Sequence, residues 1–199
     1  MAIYPSLTFM IGEQDWIRSV RDFAETISKN YWANFVLIDK PEIDECEKTL
    51  NRRLPEDFRL FWLTFGAGEF PEECGGNIYR PSEVIEACAG PMWMILGSSN
   101  WATDQDHFQL YRTRGKFNPA PDKFSSAALT HNGVSLFDLL QIGTDGSCRY
   151  HQLHVGEGDK PFGYCLLTPE GTFENIEPSF SMGLRSMLIT HWKSVHVDE

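Results

Sequence analysis

Near its N-terminus the chain has apolar residues at every third or fourth position, a spacing that places them on one face of a helix. The apolar stripe consists of Trp16, Val20, Phe23, Ile27 and Tyr31. Polar residues occupy the positions between them: Arg18, Arg21, Asp22, Glu25 and Lys29. The pattern predicts an amphipathic helix over residues 16–31 that packs against a core through its aromatic stripe.

Two more helical patterns follow, joined at Leu54-Pro55. The apolar side of the first consists of Ile43, Cys46 or Glu47, and Leu50. Asp39 is its predicted N-cap. The second has one broad aromatic face, formed by Phe58, Phe61, Trp62 and Phe65. Pro55 suits its first helical position, where the missing N–H would have no partner, and Gly66 and Gly68 can take the positive φ that ends a helix.

After Glu69 the helical spacing gives way to short apolar segments bounded by glycine and proline. Strands are predicted at residues 77–79, 92–96, 136–143, 148–155, 162–167 and 172–176. A short helix is predicted to start at Pro81, a hairpin turn at residues 144–147, and a last helix at residues 179–191. This order predicts an α+β fold with N-terminal helices, a mixed or antiparallel meandering β-sheet and a closing C-terminal helix.

A chain of 199 residues can form one sizeable core but is short for two. We therefore predict a helical extension, residues 1–38, packed on an α+β domain of residues 39–199. The least regular stretch, about residues 97–132, is rich in proline, glycine and serine and is predicted to be an extended middle insertion.

One motif carries a resemblance to a known family. Leu54, Pro55, Glu56, Asp57 and Phe58 form a Leu-Pro-acidic-acidic-aromatic sequence that leads into a hydrophobic run and a glycine turn. This resembles the opening of the SUKH superfamily, in its Smi/Knr cell-wall-regulator-like group, which includes a branch of bacterial immunity proteins. The turn is Gly66-Ala67-Gly68 where that family has Asn-Gly-Gly. Later landmarks also resemble the family: Leu140, Ile142, Gly143, Asp145, Gly146, and Ser179-Phe180 at the start of the last helix.

The net charge of −11 and the pI near 5.0 limit the classes of partner that the protein can bind. An acidic surface repels phosphates, so we expect no direct nucleic-acid binding and no membrane association, and it attracts basic proteins. The alternative is that the charge only keeps the protein in solution. The five cysteines lack the dense spacing of secreted disulfide scaffolds, and no signal peptide is recognisable, so we expect a cytoplasmic protein.

The richest group of reactive side chains lies in the sequence CRYHQLHVGEGD, residues 148–159. On a strand, His151 and His154 point to opposite faces, and Cys148 and His154 lie about 20 Å apart, too far to share one metal ion. We therefore expect no metal there, but one packed cysteine and two partly exposed histidines. No nucleophile elbow, phosphate loop or metalloprotease motif is present, so we expect no cofactor, no catalytic residue and no enzyme activity.

The resemblance implies an immunity protein, or antitoxin, that binds and neutralises a cognate secreted toxin. Such a toxin is often a nuclease, which tends to be basic because its substrate is a polyanion. An acidic protein could then occlude the active site. The candidate partner-binding residues are Glu69, Glu72, Glu73, Trp93, Trp101, Asp104, Asp106, Glu157 and Asp159. Two alternatives remain: a non-catalytic regulatory scaffold of the cell-wall-regulator type, and a cysteine or histidine hydrolase. The sequence makes no prediction of oligomeric state.

Overall fold

The computed structural model describes residues 15–89, 130–131, 134–135, 138–155, 162–168 and 172–196. The helices in these ranges are α1 (Asp15–Ile27), α2 (Lys40–Leu50), α3 (Glu56–Thr64), α4 (Pro81–Ala89) and α5 (Phe180–His196). The strands are β1 (Phe35–Val36), β2 (Ala67–Glu69), β3 (Asn77–Ile78), β4 (Thr130–His131), β5 (Val134–Ser135), β6 (Leu139–Thr144), β7 (Tyr150–His154), β8 (Tyr164–Leu167) and β9 (Phe173–Glu177). The predicted strand at residues 92–96 and most of the predicted insertion lie outside the described residues.

Seven of these strands form one antiparallel sheet in the order β1-β2-β3-β6-β7-β8-β9, and β4 pairs with β5 separately. Sheet neighbours are also chain neighbours, except where the chain leaves the sheet between β3 and β6. The predicted α+β class, with an antiparallel meander between N-terminal helices and a closing helix, is confirmed. The outermost strands are β1 and β9.

The hydrophobic core forms where the helices meet one face of this sheet. Fully buried residues come from α1, α3, β6, β7 and α5: Val20, Phe58, Leu140, Leu153 and Leu184. The predicted aromatic face of α3 is buried as expected, since Phe58, Phe61, Trp62 and Phe65 all belong to this core. The apolar stripe of α1 joins the same core, so the N-terminal helix is packed against it.

The helix boundaries differ from the predictions at three places, one of which is the end of α5 at His196 and not at residue 191. The first helix ends at Ile27 and not at residue 31, and Tyr31 lies in the turn that follows. Tyr31 is nevertheless buried against the rings of Trp32 and Phe70, and its hydroxyl forms a hydrogen bond with the Nδ1 atom of His191. Pro55 is the N-cap of α3 and not its first helical residue. By contrast, Asp39 caps α2 as predicted, since its Oδ1 atom accepts a hydrogen bond from the Glu42 amide at 2.9 Å.

The two glycines after α3 have different roles. Gly66 has a φ of +91° and ends the helix as predicted. Gly68 does not have a positive φ, so that part of the prediction is wrong. It lies in β2, where a Cβ atom would come within 2.1 Å of the Asn34 carbonyl oxygen. Glycine at 68 therefore lets β2 pass close to the residues that lead into β1.

Asp57 connects the beginnings of two helices that are distant in sequence. Its Oδ1 atom accepts a hydrogen bond from the Phe58 amide, and its Oδ2 atom accepts one from the Ser181 amide at 2.8 Å, 124 residues away in the chain. At the same end of α5, the Ser179 hydroxyl accepts a bond from the Met182 amide. A carboxylate is favourable at the positive end of a helix, and Asp57 serves two such ends. The Leu-Pro-acidic-acidic-aromatic motif at 54–58 and the Ser179-Phe180 motif are therefore held together by Asp57, which accepts hydrogen bonds from the first turns of both helices.

We expect Asp57→Ala to lower the free energy of unfolding by about 2 kcal/mol, since it removes a charged acceptor from two helix N-termini. Urea unfolding at pH 7 measures this loss. The matched control is Glu56→Ala, which removes the neighbouring exposed carboxylate and should change stability by about 0.5 kcal/mol at most. Equal effects of the two variants would contradict the role of Asp57.

Candidate functional site

The end of β2 and the connection from β2 to β3 carry three exposed carboxylates. We call residues 69–73, which contain Glu69, Glu72 and Glu73, the acidic loop. The connection closes by main-chain hydrogen bonds from Phe70 to Gly76 at 3.1 Å and from Cys74 to Pro71 at 2.8 Å. Two consecutive glycines at 75 and 76, both with positive φ, allow the chain to turn back into β3. The three predicted partner-binding glutamates are all exposed to solvent.

A buried aromatic side chain fixes the acidic loop to the core. The Phe70 ring is buried, with its centroid 5.0 Å from that of His191, 5.2 Å from Phe35 and 5.7 Å from Tyr31. At the far end, the Ser194 hydroxyl of α5 donates a hydrogen bond to the Glu73 carbonyl at 3.5 Å. The loop is therefore anchored from both sides, while its carboxylates point into solvent.

The charges of the acidic loop are not neutralised within the described structure. Other carboxylates form ion pairs: Glu47 contacts Arg59 at 2.8 Å, and Glu174 contacts Arg149 at 3.2 Å. Glu69, Glu72 and Glu73 have no ion pair with any described residue. The charge of Glu73 also acts on the next residue, Cys74. Burial is the larger cause and the charge of Glu73 the smaller one, and together they raise the pKa of the Cys74 thiol to about 11.

The other predicted partner-binding residues lie outside the described residues: Trp93, Trp101, Asp104, Asp106, Glu157 and Asp159. The role of all nine candidates as contacts for a partner stays a prediction.

An exposed apolar surface, which the sequence analysis missed, lies beside β1. The exposed fraction is 52% for Val36, 63% for Leu37 and 42% for Leu63. The Ile38 amide donates a hydrogen bond to the Trp62 carbonyl at 3.3 Å, so Leu37 and Leu63 each lie one residue from this contact. We call Val36, Leu37 and Leu63 the apolar patch. Two sequence signals existed: four consecutive apolar residues from Phe35, and the position of Leu63 outside the aromatic stripe of α3.

The histidines of β7 are buried, so the prediction that they are partly exposed is wrong. The exposed fraction is 1% for His151 and 6% for His154, although they point to opposite faces of the strand. Both faces of the sheet are therefore covered at β7. Cys148, predicted to be packed within a strand, is exposed in the turn before β7 with a φ of +65°.

Two buried histidines form hydrogen bonds with buried tyrosines. The Nδ1 atom of His151 lies 2.6 Å from the Tyr164 hydroxyl, and His191 is paired with Tyr31. Burial lowers the pKa of each of the two histidines to about 4, and it raises the pKa of both tyrosines. Both histidines are therefore neutral at pH 7 and hold the core together, away from the exposed acidic loop.

In the described ranges, no cluster of three or more histidine, cysteine, aspartate or glutamate side chains is arranged to hold a metal ion. None of the helices α1 to α5 combines the length and the apolar character needed to cross a bilayer.

The fold and site define an α+β domain with an antiparallel sheet, a helix-covered core and an acidic exposed loop. The model of the SMI1 / KNR4 family (SUKH-1) matches residues 37–186, which is most of the chain. The chain therefore belongs to the SMI1/KNR4 family. No curated protein matches the sequence.

The family assignment bounds the function. Proteins of this family generally serve as immunity proteins or as regulators of the SMI1 type, and generally do not catalyse reactions. The matched region contains the acidic loop and the pairing of Asp57 with the start of α5, while α1 precedes it. The predicted division of the chain at residue 38 stays a prediction.

Proposed function

We propose that this chain is an immunity protein that binds a cognate secreted toxin, a basic nuclease, and neutralises it by covering its active site. The observation that carries the proposal is the acidic loop, whose three exposed carboxylates have no ion pair among the described residues. The family match supports it, since immunity proteins belong to this family. In this role the protein acts in the cytoplasm as a binder and performs no catalysis.

The physical argument is one of complementary charge. A nuclease must bind the phosphates of its substrate and therefore presents cations around its active site. Carboxylates on a fixed loop attract that surface during diffusional encounter and then occupy the positions of the phosphates. Because Phe70 already anchors the loop, binding loses less conformational entropy than it would with a loose segment.

The function is tested by co-expression with a toxin. We expect the reading frame directly upstream of this chain's gene to encode a large secreted protein, and the probe is the C-terminal domain of that protein. We expect that domain alone to stop growth of a bacterial host, and co-expression of this chain to restore it. Arrested growth despite comparable levels of both proteins, with no complex on co-purification, would overturn the proposal.

We expect neutralising the acidic loop to slow association with the toxin. The triple variant Glu69→Gln, Glu72→Gln and Glu73→Gln should lower the association rate constant about tenfold at low salt and flatten its decrease with rising salt. Stopped-flow fluorescence with the toxin domain at several salt concentrations measures both effects.

The matched control removes three exposed carboxylates from α1 and α4: Asp22→Asn, Glu25→Gln and Glu86→Gln. It changes the net charge equally, so a purely global effect of charge would slow both triple variants alike. Association of the wild-type chain that is as fast at physiological salt as at low salt would remove the steering argument altogether.

Two other functions remain as alternatives. The family match equally allows a regulatory scaffold of the cell-wall-regulator type, which would neither bind nor neutralise the adjacent toxin domain. A cysteine or histidine hydrolase would turn over a substrate and lose activity in a variant such as Cys148→Ala. The burial of His151 and His191, each bonded to a tyrosine, weighs against these histidines as catalytic bases.

A further inference from the structure

The exposed apolar side chains of the described structure are concentrated at one place. Four large hydrophobic residues are exposed in the described ranges, and three of them form the apolar patch. The fourth, Ile176, lies on β9, at the opposite edge of the sheet. Single exposed apolar residues are ordinary, but three on neighbouring segments, at a sheet edge and on the helix bonded to it, are characteristic of an interaction surface.

The apolar patch adjoins the acidic loop. In the β1–β2 pair, Val36 lies opposite Ala67 and Phe35 lies opposite Gly68. The acidic loop begins at Glu69, the residue after Gly68. The rings of Phe35 and Phe70 are 5.2 Å apart, so the strand that carries the patch and the anchor of the loop share one aromatic cluster. One edge of the molecule therefore presents apolar side chains beside carboxylates that lack ion pairs.

We infer that the apolar patch is the central contact for the toxin and that the acidic loop forms the charged rim beside it. This inference rests on the proposed function and adds the surface through which it operates. Tight interfaces place a few buried apolar anchors at the centre and charged groups at the rim, where they steer the encounter. The occupant is a protein surface with an apolar depression beside lysine and arginine side chains, because such a surface complements both halves of this edge.

Side chains, and not an added strand, make the contact. Strand β1 contains only two residues, and a short edge strand offers few main-chain groups to an incoming strand. Leu63 also comes from helix α3, so a partner that only extended the sheet would leave it uncovered.

The test uses a double variant that carries both Leu37→Ser and Leu63→Ser, and Ile176→Ser is its control. Binding of each variant to the immobilised toxin domain is measured by surface plasmon resonance. Ile176 is 54% exposed, so the control makes one comparable apolar-to-serine change on the other edge strand and is compared with each single leucine variant as well. We expect the double variant to dissociate at least about 30-fold faster, with its association rate and salt dependence retained. The control should stay within about threefold of the wild type.

Several results would overturn the inference. Dissociation of the double variant within about threefold of the wild type would remove the patch from the interface, and so would an equal loss in Ile176→Ser. Thermal melting is measured for each of these variants and for the two single leucine variants. An unchanged melting temperature excludes a folding defect as the cause of faster dissociation. A free-chain dimer, seen by sedimentation and abolished by the double variant while toxin binding is unchanged, would assign the patch to a second copy of this chain. A wild-type chain that does not bind the toxin domain at all would overturn the proposed function itself.

Discussion

Replacing Gly183 by alanine is expected to lower the free energy of unfolding by about 3 kcal/mol. Gly183 lies in α5, where a Cβ atom would come within 2.1 Å, 2.3 Å and 2.5 Å of three ring atoms of Tyr164. That ring is buried and its hydroxyl is bonded to His151, so it has little room to move. The better helix propensity of alanine returns only about 1 kcal/mol. Urea unfolding at pH 7 measures the net loss.

A double-mutant cycle identifies the cause of this loss. In a Tyr164→Leu background the ring is absent, so the added cost of Gly183→Ala should fall to less than half of its value in the wild-type chain. Thr190→Ala, at an exposed position of the same helix, controls for helix propensity and should change stability by about 0.5 kcal/mol at most. Strictly additive effects at 164 and 183 would show that α5 does not pack against β8 through this glycine.

We expect the free energy of unfolding to fall between pH 7 and pH 5, above the pH at which most carboxylates are protonated. Burial lowers the pKa of His151 and His191 to about 4, below the ordinary value of 6.5. Between these two values the unfolded chain binds protons that the folded chain does not, so stability is fully present above about pH 7 and falls as the pH drops. Each histidine should contribute a loss of about 2 kcal/mol by pH 5.

Urea unfolding at pH 7, 6 and 5 measures this loss in a window where few carboxylates titrate. A variant such as His151→Gln should have a lower stability at pH 7 and about half of the wild-type dependence on pH. Thr190→Ala, at an exposed position of α5 and without a change of titratable groups, serves as the control and should retain the wild-type dependence. A wild-type stability that is constant from pH 7 to pH 5 would contradict the burial of neutral histidines.

The helices could be predicted from the sequence because local spacing determines them. The aromatic residues of α3 recur at helical intervals, and all of them are buried in the core. Tyr31 fits the spacing of α1 equally well but lies beyond its end, and it packs against Phe70 and His191, which are distant in sequence. The position of Asp57 near the start of α3 was also predictable, whereas its bond to Ser181 depends on how α5 packs.

The prediction of two partly exposed histidines on β7 is wrong because both faces of this strand are covered. Antiparallel strands often have a solvated face, but His151 and His154 are both buried. Turn chemistry was more reliable: Gly146 has a positive φ, and the carboxylate of Asp145 accepts the Ser147 amide, as expected of a tight turn between strands.

The candidate site was predictable only in part. The charge of Glu69, Glu72 and Glu73 makes them candidate contacts from the sequence alone, and all three are exposed in the structure. The apolar patch could not be predicted, since Leu37 and Leu63 come from different elements that meet through a main-chain bond between Ile38 and Trp62. Its proximity to the acidic loop likewise arises from the pairing of β1 with β2.

As proposed above, the protein neutralises a toxin by occupying its active-site cleft and makes or breaks no covalent bond itself. Titration of the purified toxin domain's nuclease activity with this chain tests it most directly. We predict a linear loss of activity that is complete at one chain per toxin, with both proteins recovered chemically unchanged. Full nuclease activity in a large excess of this chain, or a covalent change in the toxin, would contradict the claim.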